Sequence, residues 1–278
     1  MPPARATLLG IPYDAASSFK RGPALAPARI REALWSPAGN TWTEGLADLS
    51  APGVLADAGD VPVGDMDHGA QVRRAIEEHA ERILVAGSRP ISLGGDHSVS
   101  YPLLCAVHRT HPTITILHVD AHADLYDEFE GDRFSHACPF ARIMEEGLAT
   151  RLVQVGIRTL TRHQREQADR FGVEIIDMRA WAAGRRPSIA PDETVYLSLD
   201  LDGLDPAFAP GVSHPEPGGL SVREVLELIH GLRAELIGAD VVECNPAVDP
   251  TGVTAMVGAK FVKEIAAVMN DVRPRSTP

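Results

Sequence analysis

Cysteine and long apolar segments are both scarce in this sequence of 278 residues. The three cysteines, Cys105, Cys138 and Cys244, form no CxxC or CxxxC pair, so the sequence indicates neither a cysteine zinc site nor a disulfide framework. No stretch approaches the roughly 20 apolar residues of a membrane helix. The apolar stretch near the N-terminus is broken at Gly10 and Pro12 and is too short for the core of a signal peptide. We therefore expect a soluble, cytoplasmic protein with no membrane partner.

Positive charge is also in short supply. Lys and Arg number 26 against 38 Asp and Glu, which gives a formal net charge of -12 at pH 7. A negative field repels phosphate backbones. The charge therefore argues against nucleic acid as a partner and favours cationic small molecules or metal ions.

Short apolar runs alternate with amphipathic helical patterns along the whole chain. Most of these runs lack polar alternation, as strands buried on both faces do. The pattern predicts an α/β fold with a mostly parallel sheet covered by helices on both sides, in one domain spanning 1–278. The predicted strands are 6–12, 90–95, 113–120, 151–157, 173–177, 194–202 and 237–244, and the clearest helices are 69–86, 161–171, 221–234 and 252–269.

Polar clusters follow three of the predicted strands, at the sheet edge where α/β proteins collect ligands. They are Asp96, His97 and Ser98; Asp120, His122 and Asp124; and Asp200, Asp202 and Asp205. Carboxylates that lie close together repel one another and lose hydration, so such clusters indicate a neutralising cation. Each cluster alone has an ordinary explanation, a helix cap or a solvated loop. Three of them in one α/β chain favour a metal site.

Six of these side chains are candidate metal ligands. They are His97, Asp120, His122, Asp124, Asp200 and Asp202. The four carboxylates carry a charge of -4, which two divalent ions would balance. Carboxylate and imidazole without thiolate favour a fairly hard ion, Mn²⁺ first, although zinc, nickel, cobalt and iron stay open.

At these residues the sequence resembles the ureohydrolases, the superfamily of arginase, agmatinase and formimidoylglutamase. The matching stretches are GGDHS at 94–98, DAHAD at 120–124, SLDLDGLDPAFAPG at 198–211, the weaker VVECNPAVDP at 241–250, and an opening segment at 10–34. The resemblance implies a three-layer α/β/α sandwich with about eight strands, a homotrimer or homohexamer, and two Mn²⁺ ions. It also implies hydrolysis of a guanidino or related carbon, commonly with release of urea and an amine.

The resemblance also distributes the ligands between the two ions. His97, Asp120, Asp124 and Asp200 would hold one ion. Asp120, His122, Asp200 and Asp202 would hold the other, so that Asp120 and Asp200 bridge.

The chemistry needs three further things besides the ligands. Two cations that share a water lower its pKa to about 7, so a bridging hydroxide can attack the guanidino carbon. A carboxylate must hold the substrate cation, and Glu243 is the candidate because carboxylates bind guanidinium groups bidentately. An acid must protonate the leaving amine, and His136 is the candidate shuttle because its unperturbed pKa lies near 6.5.

Two stretches depart from the ureohydrolase pattern. Ala137 and Cys138 follow His136 where relatives usually have Gly-Thr, and Val212-Ser213-His214 replaces a Thr-Gly-Thr stretch. His214 could contact the substrate or face solvent. Cys138 is not expected to form a nucleophilic pair with His136, because residues so close along a loop seldom face one another. The other histidines, at 68, 79, 108, 111, 118, 163 and 230, are interpreted as structural or surface residues.

The loop 125–135 bears on the substrate. It carries four acidic residues against Arg133, and an acidic rim suits the ammonium of agmatine better than an α-carboxylate, although a solvated loop would look the same. The pattern is thus nearest to agmatinase. The alternative substrates are formimidoylglutamate, guanidinobutyrate, guanidinopropionate and arginine. The departures from the family pattern also favour a second alternative, a metal-binding relative without turnover.

Overall fold

The computed structural model describes residues 4–64 and 69–270. Its centre is one sheet of eight strands, in the order β2-β1-β3-β8-β7-β4-β5-β6, and every strand pair is parallel. The strands are β1 (Ala6–Gly10), β2 (Leu55–Asp60), β3 (Arg89–Leu93), β4 (Thr115–Val119), β5 (Arg151–Val155), β6 (Glu174–Ile176), β7 (Thr194–Asp200) and β8 (Glu235–Val242). The predicted α/β fold with about eight parallel strands is confirmed.

The sequence pattern locates seven of these strands and misses β2. Central strands are buried on both faces, so their apolar runs are continuous. In β4, for example, Leu117 and Val119 face one core and Ile116 faces the other. By contrast β2 lies at the sheet edge with four of its six residues exposed and reads LADAGD, which carries no apolar run.

Helices cover both faces of the sheet and make the three layers. They are α1 (Ala26–Leu34), α2 (Gly69–Val85), α3 (Ser100–Thr110), α4 (Pro139–Glu145), α5 (Arg162–Phe171), α6 (Met178–Ala182), α7 (Val222–Gly231) and α8 (Val253–Asn270). Helices α1, α6, α7 and α8 pack on one face and α2 to α5 on the other. A capping box of Ser221 and Glu224 begins α7, within the predicted helix 221–234. Within the described residues, no helix combines the length and apolar character needed to cross a membrane.

The strand order decides which loops meet. Strands β3, β8, β7 and β4 are consecutive neighbours, so their carboxyl ends lie side by side at one edge of the sheet. Close packing there requires a glycine after β3, because a Cβ on Gly95 would lie 1.6 Å from the backbone oxygen of Tyr13. The sequence clusters that follow these strands are thereby brought together.

Candidate metal centre

The first group of candidate ligands surrounds one ring nitrogen. Nδ1 of His97 lies 3.1 Å from a carboxylate oxygen of each of Asp120, Asp124 and Asp200. These side chains are all buried, and His97 is fully so. Nδ1 is a buried polar atom without a geometrically acceptable hydrogen bond within the described residues. One nitrogen and three carboxylate oxygens therefore point at a common position.

A second group shares Asp120 with the first. Nδ1 of His122 lies 3.1 Å from Oδ2 of Asp202 and 3.4 Å from Oδ1 of Asp120. The other carboxylate oxygen of Asp120 belongs to the first group. The structure thus brings all six predicted ligands together and joins the two groups through Asp120. Bridging by Asp200 stays a prediction, because its Oδ1 accepts a hydrogen bond from the backbone N–H of Asp202.

The electrostatics of the four carboxylates fit a bound cation. Their ion-pair partners in the described part of the chain are all histidines, with no Lys or Arg. Burial, with the charges of Asp202 and Asp120, raises the pKa of Asp200 well above its ordinary value. For Asp202, burial raises the pKa, His122 partly offsets the rise, and the value is about 6. Carboxylates so desolvated and so close to one another suit a hard divalent ion.

Strained backbone holds two of the side chains in place. Asp124 and Glu243 have φ values of +50° and +60°, in the left-handed region that non-glycine residues seldom adopt. Each follows a strand end, β4 and β8 respectively. For Glu243, the strain accompanies two bonds: its N–H donates to the oxygen of Gly95 at 2.9 Å, and its Oε1 accepts from the N–H of His97 at 2.9 Å. Such strain persists where the surrounding structure demands it.

Glu243 and His136 form a pair beside the metal ligands. Nδ1 of His136 lies 3.5 Å from Oε1 of Glu243, and its Nε2 lies 2.9 Å from Oγ of Ser18. Burial lowers the pKa of His136, but the carboxylate of Glu243 outweighs it and raises the pKa to about 9. His136 therefore carries a proton at neutral pH. Oε2 of Glu243 is buried and has no hydrogen-bond partner within the described residues, so it can accept bonds from a ligand.

A cavity of about 260 Å³ opens onto these groups. Six candidate site residues line it, namely His122, Asp124, His136, Asp200, Asp202 and Glu243. The other lining residues, which we call the cavity wall, are Ser18, Tyr126, Phe129, Ala137, Thr159, Gln164 and His214. His214 thus lies in the cavity wall, where its ring stacks on that of His136 with the centroids 4.8 Å apart.

The acidic side chains expected to form a rim at the loop 125–135 are not part of the cavity lining. The loop contributes Tyr126 and Phe129 to the cavity wall, and its acidic side chains are not part of that wall. The carboxylate of Asp127 is bound by Arg133 at 3.0 Å and by the buried Arg142 at 2.7 Å. Arg142 lies on α4, outside the loop, so the charge count of the loop alone could not reveal this neutralisation.

The two departures from the expected pattern have structural explanations. Ser213 donates to the oxygen of Lys20 at 2.8 Å and accepts from Nδ2 of Asn245 at 3.0 Å, so it joins three loops. Burial raises the pKa of the Cys138 thiol to about 12, which leaves it protonated and unreactive.

Two side chains with a role at the site were missed by the sequence analysis. His118, which was interpreted as structural or surface, is fully buried with Nε2 2.8 Å from Oδ2 of Asp120. The available signal was its position two residues before Asp120, on the same side of β4. Gln164 lines the cavity from the first turn of α5, where it forms a capping box with Thr161. That motif signals a helix start and gives no indication of a binding site. His68 lies outside the described residues.

Metal removal is expected to affect stability most at neutral pH. In the metal-free protein, the pKa of Asp202 is higher in the folded state than in the unfolded state. Ionisation of Asp202 therefore lowers the free energy of unfolding as the pH rises from about 4 through 6. A bound divalent ion offsets that cost. Adding Mn²⁺ to chelator-treated protein should therefore raise Tm by about 5 °C more at pH 7.5 than at pH 5, as measured by calorimetry. Equal increases at the two pH values would contradict this, and D202N should reduce the difference.

Comparisons with known proteins agree with this geometry. A family model described as the arginase family matches residues 4–267. The chain is 50% identical over 277 residues to Arginase 1, mitochondrial, of Arabidopsis thaliana, covering 95% of this chain and 81% of that protein. It is 35% identical over 279 residues to guanidinobutyrase of Pseudomonas aeruginosa, covering 96% and 87%. The solved arginase from Medicago truncatula superimposes with a TM-score of 0.91 at 45% identity, covering 96% and 87%.

These comparisons correct one prediction. The cytoplasmic location expected from the sequence is wrong by this criterion, since the Arabidopsis relative is named mitochondrial. Few cysteines, and no membrane-spanning helix among the described residues, are compatible with any reducing compartment. A targeting signal is recognised by a receptor and is not set by the overall composition. Composition therefore could not distinguish a cytoplasmic from a mitochondrial location.

Proposed function

Because this chain belongs to the arginase family, it is a metal-dependent hydrolase of guanidino compounds, and we propose that L-arginine is its substrate. The observation that carries the proposal is the 50% identity to an arginase over 95% of the chain, against 35% to a guanidinobutyrase. Hydrolysis at the guanidino carbon of arginine releases urea and ornithine. Agmatine, which the sequence pattern favoured, becomes the second candidate.

The site residues take the following roles in this proposal. Two Mn²⁺ ions, held by His97, Asp120, His122, Asp124, Asp200 and Asp202, supply an activated water when bound. Oε2 of Glu243, the buried acceptor without a partner, takes N–H bonds from the guanidinium group. His136, protonated at neutral pH, delivers a proton to the departing amine.

The cavity wall supports a substrate that carries an α-carboxylate. Oε1 of Gln164 accepts from the N–H and the hydroxyl of Thr161. Its two Nε2–H donors are left without a partner in the described part of the chain. Gln164 is 96% buried and lines the cavity. An amide donor there can bind a carboxylate, whereas the wall residues Tyr126, Phe129 and Thr159 offer no charge to hold the ammonium of agmatine.

A substrate screen tests the proposal. The full chain, loaded with Mn²⁺ and analysed for metal in the same sample, is assayed for urea release from L-arginine, agmatine and 4-guanidinobutyrate. We expect kcat/KM to be at least about tenfold higher for arginine, which corresponds to about 1.4 kcal/mol. A preference for agmatine would overturn the assignment of arginine. Absence of urea from every compound, at full metal occupancy, would favour the metal-binding relative without turnover.

Gln164→Glu tests most directly whether the amide of Gln164 binds the substrate carboxylate. Glutamate keeps the oxygen that caps α5 but replaces the two N–H donors with negative charge. We expect KM for arginine to rise about 10- to 100-fold, the value of a lost hydrogen bond to a charged group, with kcat little changed. Agmatine, which has no carboxylate, should bind no more weakly than to the wild type. Steady-state kinetics with both substrates measures this.

Gln167→Glu is the matched control, because Gln167 is buried on the same helix but does not line the cavity. It should leave both KM values within about twofold. An unchanged KM for arginine in Q164E would remove Gln164 from the binding site.

A further inference from the structure

A row of polar side chains crosses the sheet directly beneath the metal ligands. Strand register places Ser92, Asp240, Ser198, His118 and Gln154 side by side on β3, β8, β7, β4 and β5. We call these five residues the polar row. All five are 0% exposed, and none lines the cavity. Burying so many polar groups destabilises the fold unless they are hydrogen-bonded. The hydrogen bonds of the polar row therefore indicate its role.

One part of the polar row, Asp240 and Ser198, is connected to His97 by hydrogen bonds. Asp240 accepts from Oγ of Ser198 at 2.7 Å, from the hydroxyl of Tyr196 at 2.9 Å and from Oγ of Ser100 at 3.0 Å. Because the Ser198 hydroxyl donates to Asp240, its single proton points at Asp240. Oγ of Ser198 must then accept from Nε2 of His97, which lies 3.0 Å away. Nε2 of His97 therefore carries a proton, and Nδ1 is the ring nitrogen that faces the three carboxylates.

The other part of the polar row, His118 and Gln154, is connected to Asp120 by hydrogen bonds. Nε2 of Gln154 lies 2.6 Å from the oxygen of Ala123 and 3.0 Å from Nδ1 of His118. Because a carbonyl oxygen only accepts, the group facing it must be the amide NH₂, which fixes the orientation of Gln154. Nδ1 of His118 then accepts, and its Nε2–H donates to Oδ2 of Asp120 at 2.8 Å. His118 is therefore a donor to a metal ligand and is not itself a ligand.

We propose that the polar row positions two metal ligands, with Asp240 setting His97 through Ser198 and Gln154 setting Asp120 through His118. The inference rests on the proposed function, since it needs the metal centre. Asp240 and Gln154 are positioning residues, because they touch neither substrate nor ion. Outer hydrogen bonds of this kind fix the orientation and tautomer of ligands, and their loss weakens metal binding about 10- to 100-fold.

The test replaces each end of the row separately. In the Asp240→Asn variant, the amide NH₂ can donate to Oγ of Ser198. The serine proton is then free to point at Nε2 of His97, which favours the His97 tautomer that carries its proton on Nδ1. Gln154→Met keeps the side-chain volume and removes both amide bonds. Mn²⁺ binding to the full chain is titrated and followed by the electron paramagnetic resonance signal of free Mn²⁺. We expect each variant to weaken the binding of at least one ion about 10- to 100-fold, and added Mn²⁺ to restore activity.

Ser92→Ala is the matched control. Ser92 belongs to the row, faces Asp240 in register and is equally buried, but its hydroxyl has no hydrogen-bond partner within the described residues. Its Mn²⁺ affinity should stay within about threefold of the wild type. Should D240N fail to fold, Ser198→Ala, which cuts the link to His97 and leaves Asp240 bound to Tyr196 and Ser100, decides that end.

Two outcomes separate this inference from the proposed function. Wild-type protein that binds two Mn²⁺ ions, with S198A and Q154M variants that bind them equally tightly, overturns the role of the polar row alone. Wild-type protein that binds no Mn²⁺ overturns the metal centre itself.

Discussion

Asp200→Asn is expected to lower kcat/KM by at least about 10³-fold, which corresponds to about 4 kcal/mol of transition-state stabilisation. Asp200 presents Oδ2 to the position shared with His97, and its Oδ1 accepts from the N–H of Asp202 at 2.7 Å. Asparagine can keep the second bond, so the turn after β7 should persist. It removes one of the four negative charges of the proposed metal centre. Urea release and metal content, measured on the same sample, should fall together.

Asp192→Asn is the control for this variant. Asp192 is exposed and precedes β7, so the same change of charge there should leave kcat/KM and metal content within about twofold. Full activity of D200N with a full complement of metal would show that Asp200 is not a ligand.

Much of the metal centre could be predicted from the sequence because its signals are local. A buried central strand shows as an apolar run, and an acidic cluster directly after it stands out, as with Asp120, His122 and Asp124. The alternation of strands and helices requires parallel strands, whose carboxyl ends share one edge. These two rules suffice to place His97, Asp120 and Asp200 at the same edge.

The remainder depends on contacts between distant segments. Glu243 accepts from the N–H of His97 only because β8 lies between β3 and β7, and the two residues are 146 positions apart. His118 and Ser198 look like polar interruptions of apolar strands until strand register brings their partners beside them. The pairing of Asp127 likewise depends on Arg142, which reaches it from a different element. Such pairings have no signature in either segment alone.

The substrate assignment is revised for the same reason. The acidic composition of the loop 125–135 suggested a cationic tail, but its acidic side chains are not part of the wall, and Asp127 is bound by two arginines. The wall instead presents the free amide donors of Gln164. In the proposed function, the amide donors of Gln164 rather than the charge of Asp127 therefore favour a substrate with a carboxylate.

Glu243→Gln is expected to lower kcat/KM for every guanidino substrate by about 10²- to 10³-fold while leaving the metal content unchanged. Burial raises the pKa of Glu243, but its bond to His136 outweighs this and lowers the pKa, so the side chain is a buried carboxylate at neutral pH. With Oε1 bound to the N–H of His97, a glutamine would turn its NH₂ toward the guanidinium group, donor against donor. Loss of one partner of a buried charge pair costs about 2–5 kcal/mol.

The matched control for this variant is Glu264→Gln, because Glu264 is equally buried but lies on α8, bound to Lys260 and His230. It should lower Tm without changing kcat/KM by more than about twofold. Because Glu243 is not among the six candidate ligands, E243Q separates substrate binding from metal binding. Arginine, agmatine and 4-guanidinobutyrate should all lose kcat/KM alike, whereas Q164E should spare agmatine, which has no carboxylate. If E243Q kept kcat/KM within about fivefold of the wild type at full Mn²⁺ occupancy, the guanidinium group would have to bind elsewhere in the cavity.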